Sequence, residues 1–266
     1  MTAAQQAKAM LALFAMGWQR AGIERAALLG RALLYGLVLL IFQGIWQSTP
    51  LAELAGPGYD TEGLIWYVAV TEWIVFATAY PYREVEADIR GGRIAQLASR
   101  PVPYLAAVAA EWAGASGFRL LALGGFGFAA TILMTGTVPI AWSAGPGLLL
   151  SALLAMALAF LLQFAIGLVA VWMGTAAPVY WIAQKLFFVM GGLLLPLSIY
   201  PSTLGAIAEA SPFAAMLYAP ASLLLDAGSA GLGQVLLGQG IWLALLAAGA
   251  LAIEHRAIRR ITREGI

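Results

Sequence analysis

Few side chains in this sequence have the type and placing to do chemistry, and they fall into two sets. Four ionisable residues interrupt long apolar stretches: Glu72, Glu111, Arg119 and Lys185. An acid isolated among apolar residues can relay a proton, touch a substrate, or pair with a cation on a neighbouring helix. Glu72 is the only charge between Glu62 and Arg83 and is the costliest of the four to bury. A structural pair with Arg119 or Lys185 is one reading; substrate contact and proton relay are the others. Arg119 and Lys185 are expected toward helix ends, where a long side chain reaches water, and Glu111 in the interface. The second set is denser. Pro81–Pro103 reads PYREVEADIRGGRIAQLASRPVP and carries Arg83, Arg90, Arg93 and Arg100. Its Val85, Ile89, Ile94 and Leu97 recur at near-helical spacing, with charges between them. That pattern predicts a short amphipathic helix, broken near Gly91-Gly92. Such a segment is either a solvated loop made basic to fix topology or a docking element for a cytoplasmic partner.

Other chemistries are excluded or unsupported. There is no cysteine, so disulfides and thiolate metal sites are out. The single His255 stands between Glu254 and Arg256 and reads as part of an interfacial helix end. No stretch fits the phosphate-binding pattern GxxxxGK[ST], so the chain does not take up and hydrolyse ATP by that route. A net charge of +1 gives no reason to expect nucleic acid. Membrane-bound lipid-modifying enzymes need clustered His, Asp or Glu, and no such cluster is present.

The elements that must position these residues are membrane spans. The 266 residues are 62% hydrophobic and 10% charged, against about 25% charged in soluble domains. A span needs about 20 apolar residues, and six segments qualify: roughly 27–47, 63–82, 104–134, 148–173, 178–196 and 231–252. Residues 3–20 are expected as an amphipathic helix at the membrane surface with Trp18 at headgroup level, or as a plain cytosolic helical start. The charged stretch 83–103 cannot lie in hydrocarbon, where each central Arg or Asp costs roughly 2.5–3.5 kcal/mol. Residues 197–230, interrupted by prolines, suit two short helices dipping into or capping the outer leaflet. Lys and Arg fall in the N-terminus, the 83–103 loop and the tail 254–266, and are missing from 48–62, 135–147 and 197–230. By the positive-inside rule both termini are cytoplasmic. No internal repeat is visible, which counts against secondary transporters built from duplicated halves.

One resemblance sharpens this. Asp88-Ile89-Arg90-Gly91-Gly92-Arg93-Ile94, then Leu97, then Arg100-Pro101-Val102, resembles the IRxG…LLxRPV signature of type-2 ABC exporter permeases. It is closest to the six-span subfamily that pairs with a second permease and a separate ATPase. Pro196-Leu-Ser-Ile-Tyr-Pro201, Ser211-Pro212-Phe213 and Tyr218-Ala-Pro220 are similar to that family's extracellular helical segment. The resemblance covers nearly the whole chain. It implies an all-α permease of the bacterial inner membrane, exporting a lipid-like or hydrophobic substrate, multi-pass with both termini inside. It implies a dimeric channel, formed with an identical or related permease chain amid membrane lipids, and driven by cytoplasmic P-loop ATPase subunits. Those subunits would bind ATP and Mg, so no cofactor is expected in this chain and no catalytic residue. The 83–103 loop would be the coupling helix, with Asp88, Ile89, Arg90, Gly91, Arg93, Arg100 and Pro101 docking on the ATPase. Pro196, Pro201, Pro212, Phe213 and Pro220 would belong to an exit-side gate. The alternative is a proton-coupled secondary transporter or channel using Glu72.

Overall fold

The computed structural model describes residues 3–48, 60–94, 102–138, 145–225 and 231–264. Ala3–Ile23 forms α1 and Arg25–Ser48 forms α2. Glu24 hardly separates them: its N–H donates to Arg20 O at 3.2 Å, and its carbonyl accepts from Leu28 N at 3.0 Å. The expected surface helix and first span are therefore one nearly continuous rod. Its first part lies along α5, Tyr104–Thr135. The approach is closest where Gly17 meets the Glu111 carbonyl and Gly114 meets that of Phe14. A Cβ on Gly114 would stand 1.9 Å from Phe14 O, and one on Gly17 2.0 Å from Glu111 O. Only glycine permits backbones so close. Trp18 packs edge-on against Phe118, with ring centroids 5.4 Å apart.

The bundle is built around α3, Thr61–Ala77. Asp60 caps it, its carboxylate accepting from Gly63 N at 2.7 Å. Every residue from Leu64 to Ile74 is buried. A helix that is apolar all round has no solvent face and belongs at a centre, and α2, α5 and α11 (Tyr218–Leu225) surround this one. Between helices in lipid there is no hydrophobic driving force, so close packing and interhelical hydrogen bonds hold the bundle. Tyr35 donates its hydroxyl to Ala69 O. Trp73 Nε1 donates to Leu120 O at 2.7 Å. Each such bond is worth about 0.6–2 kcal/mol in this environment.

Two expected spans end early. The segment foreseen at 63–82 stops at Ala77, and Thr78–Tyr80 is non-helical before a second helix, α4, Pro81–Arg90. Tyr80 precedes a proline, which disfavours the helical conformation there, and Pro81 fits the first turn of the new helix. The segment foreseen at 178–196 forms α8, Ala177–Met190, of 14 residues. At about 1.5 Å per residue it reaches about 21 Å. The chain then turns at Gly191-Gly192 beside the middle of α3, where Tyr67 donates to Gly192 O and Thr71 Oγ1 donates to Leu193 O at 2.8 Å. Irregular backbone at membrane depth survives only when protein groups satisfy it, and α3 supplies them.

The remaining elements are α6, Gly145–Leu168, the single turn α7, Ala170–Met173, and α12, Leu232–Glu264. Between α8 and α12 lie a 3-10 turn at Leu197–Ile199 and three short helices, not two: α9 (Ser202–Glu209), α10 (Pro212–Met216) and α11. The basic tail is no separate segment, since α12 runs through it. Its Glu254 is buried and accepts from Leu105 N at 3.0 Å. This distant carboxylate caps α5, whose own N-cap residue Pro103 offers no side-chain acceptor. Among the described residues, five helical stretches are long and apolar enough to cross a membrane: α2, α3 with α4, α5, α6 with α7, and α12. No strand occurs among the described residues.

Candidate functional site

The charged residues of α4 take their positions from its apolar face. Tyr82, Val85 and Ile89 are buried against α6, which leaves the opposite face outward. Arg90 reaches Glu86 at 3.5 Å and Arg93 reaches Asp88 at 3.3 Å, yet both arginine side chains stay about two-thirds exposed, at 68% and 69%. The acids at their bases are spent inward. Asp88 Oδ2 accepts from the Tyr104 hydroxyl at 3.1 Å, and Glu86 Oε2 accepts from Ala176 N at 3.2 Å, at the start of α8. Arginines anchored at the base and open at the tip suit an acidic partner surface. Of the docking residues foreseen, Asp88, Ile89, Arg90, Gly91 and Arg93 are brought together here. Ile89 serves by packing, at 7% exposure. Arg100 and Pro101 lie outside the described residues. The glycine whose conformation matters is Gly92, with φ of 68°, while Gly91 has an ordinary φ of −85°.

Beside α4, Arg20 stands among three carboxylates: Glu24 at 3.3 Å, Glu111 at 3.6 Å and Glu84 at 3.7 Å. These acids, Glu84 foremost, raise the Arg20 pKa above its ordinary value against a smaller opposing effect of burial. Exposed pairs contribute only about 0.2–1 kcal/mol each, so the cluster orients α1 against α4 and α5 without welding them. Glu111 lies at this charged end.

Glu72 does not. It is 5% exposed in the bundle centre, and neither foreseen cation reaches it. Arg119 instead pairs with Glu24 at 3.4 Å across the α1–α2 joint. Lys185 is exposed on α8 and makes no ion pair among the described residues. The reason is geometric: α5 presents Arg119 to the α1–α2 side of the bundle, and α8 turns Lys185 away from α3.

A partly open pocket lies between the end of α3, the second half of α6 and α8, with Met216 of α10 at one end. Aromatic side chains line much of it, and none of its lining residues is charged. Tyr82 and Tyr180 stack at its α4 end, with centroids 4.0 Å apart, and Tyr80 meets Tyr180 edge-on at 6.1 Å. Gln184 Nε2 donates to the Tyr180 hydroxyl at 3.1 Å. The one amide here without a hydrogen bond is that of Gln163, whose Oε1 is buried and unpartnered. Leaving a buried amide unpaired costs roughly 1–3 kcal/mol. Sequence reasoning missed both the cavity and Gln163; a lone glutamine inside an apolar run was the available signal.

At the other end of the bundle the prolines foreseen as a gate fall at helix starts. Pro196 and Pro201 precede the 3-10 turn and α9, Pro212 opens α10, and Pro220 lies in the first turn of α11. Phe213 follows Pro212, and its carbonyl closes the end of α10 by accepting from Leu217 N. Buried Gln239 of α12 fixes the segment, donating to Ser151 O and Ala215 O at 3.0 Å each.

Residues 32–265 match the family described as ABC-2 family transporter protein. No curated protein matches the chain.

Proposed function

The chain belongs to the ABC-2 family of transporter proteins, as a type-2 ABC permease subunit that works with an ATPase partner, and we propose that it exports a lipid-like or hydrophobic substrate across a bacterial inner membrane. In this reading the chain crosses the membrane six times with both termini inside. The fifth crossing is composite, α8 entering from the charged end and α9–α11 completing the passage. The protein has no catalytic residues of its own. ATP and Mg are bound by two cytoplasmic ATPase subunits, and a second permease chain, identical or related, completes the channel.

The observation that carries this reading is the two-sided anchoring of α4. Its outward face offers Arg90, with Arg93 just beyond its end, at 68% and 69% exposure. Its inward face holds the start of α8 through Glu86 and Tyr82. A push on the arginines from an ATPase groove would therefore reach α8, the wall of the cavity least packed into the bundle. The cavity is the substrate path, its α4 end closed by the tyrosines, and α9–α11 form the exit-side gate.

Purification from the native host in mild detergent tests this directly, comparing wild type with the Arg90→Ala, Arg93→Ala, Arg100→Ala variant. A stoichiometric P-loop ATPase retained by the wild type and lost from a folded variant is the expected result. Retention by the variant would remove the docking role from these arginines.

A further inference from the structure

Resting on the cavity being the substrate path, we propose that its cargo is an uncharged molecule bearing one hydroxyl or amide group, and that Gln163 selects for that group. The cavity between α3, α6 and α8 has no ionised residue in its lining. A charged headgroup would lose its water there and gain no counter-charge. The walls offer instead the rings of Tyr80, Tyr180, Phe187 and Phe188, with aliphatic surface from Leu162 and Ile166. These suit an apolar chain or ring system.

Gln163 breaks this apolar lining. Three other amides of the bundle are engaged: Gln239 bonds Ser151 and Ala215, Gln184 bonds Tyr180, and Gln43 bonds Met134 O. Gln163 alone among those lining the cavity has no hydrogen bond, and its buried oxygen lacks a donor. A half-turn of the terminal amide presents either its oxygen or its NH₂ group to the cavity. A cargo hydroxyl or amide can donate to the one or accept from the other, satisfying a group the protein leaves open. A pure hydrocarbon cannot. Discrimination of this kind is strong because rejection comes from the unpaired polar group left in the site. Gln163 is thus a specificity residue, and it acts on the cargo by direct contact.

The test uses the complete transporter, permeases with ATPase, in lipid nanodiscs. Three diazirine-bearing twelve-carbon probes are photolysed: one ending in a hydroxyl, one in a methyl group and one in a primary ammonium. Labelled peptides are quantified by mass spectrometry. The expected result is labelling of α6 and α8 peptides at least fivefold greater with the alcohol than with either other probe. In Gln163→Leu the alcohol should fall to the level of the hydrocarbon, while hydrocarbon labelling stays or rises, which shows that the cavity is intact. Equal labelling by alcohol and hydrocarbon in the wild type overturns the role of Gln163 without touching the substrate path. Ammonium labelling equal to that of the alcohol overturns the uncharged class. If no probe labels α6 or α8 while other segments are labelled, the substrate path itself is misplaced, and the proposal falls with it.

Discussion

The rings of Tyr82 and Tyr180 lie 4.0 Å apart between centroids and within 16° of parallel, so that α4 and α8 are joined face to face. Tyr82 and Glu86 are four residues apart on one face of α4, and both grip the first turn of α8. One does so through its ring and the other through the Ala176 N–H at 3.2 Å. Arg83 Nε donates to the Tyr82 hydroxyl at 3.0 Å, which fixes the ring from the outer side.

This clasp predicts an uncoupled phenotype. A stacked aromatic pair contributes about 0.5–1.5 kcal/mol beyond its buried area. Tyr180→Ala should lower substrate transport several-fold, whereas Tyr180→Phe, which keeps the ring and loses the bond from Gln184, should lower it far less. ATP hydrolysis by the reconstituted complex should fall much less than transport in both. Equal losses of hydrolysis and transport in Tyr180→Ala would show that the stack supports assembly and does not transmit motion.

The contact of α1 with α5 gives a stability prediction. A side chain at Gly114 would enter the Phe14 carbonyl, with a Cβ only 1.9 Å from it. Overpacking typically costs about 1–3 kcal/mol, and here the obstacle is backbone, which cannot swing aside. Gly114→Leu should therefore lower the Tm of the detergent-solubilised chain by several degrees and expose α1 to protease. Gly44→Leu on α2, where a Cβ meets nothing within 4 Å, should leave both unchanged. If the two variants melt together, α1 is not held by this approach.

How much of this could be read in the sequence follows from how local each cause is. Apolar runs marked α2, α5, α6 and α12 because length and composition alone decide whether a helix suits a membrane. The break after Arg90 was visible in Gly91-Gly92, a local signal of the same kind. The stop of α8 at Met190 was not. Residues 178–196 carry one charge, Lys185, and read as a span. The turn at Gly191-Gly192 instead depends on Tyr67 and Thr71, more than a hundred residues earlier in the chain, to satisfy its carbonyls. The cap that Glu254 places on α5 was hidden for the same reason, since its partner Leu105 lies 149 residues away. The motif marked the stretch from Asp88 to Arg93, but the positive φ of Gly92 is a matter of backbone angle that the letters do not carry.

Glu72 supplies the last prediction. The sequence offered three roles for it, and pairing with Arg119 or Lys185 is removed by the Arg119–Glu24 contact and by the placing of Lys185 on the outer side of α8. The carboxyl is 5% exposed and does not line the cavity between α3, α6 and α8. Substrate contact along that path is therefore also without a route. What is left is a buried acid near Tyr35 and Tyr80, a place that a neutral amide of the same shape fills equally well. Glu72→Gln should accordingly keep ATP-driven transport within about twofold of wild type, since a substitution that leaves shape and burial intact shifts stability little. Transport should also stay indifferent to a collapsed proton gradient in both proteins. Loss of transport in a folded Glu72→Gln complex that still hydrolyses ATP, together with a response to the proton gradient in the wild type, would return proton coupling to this residue.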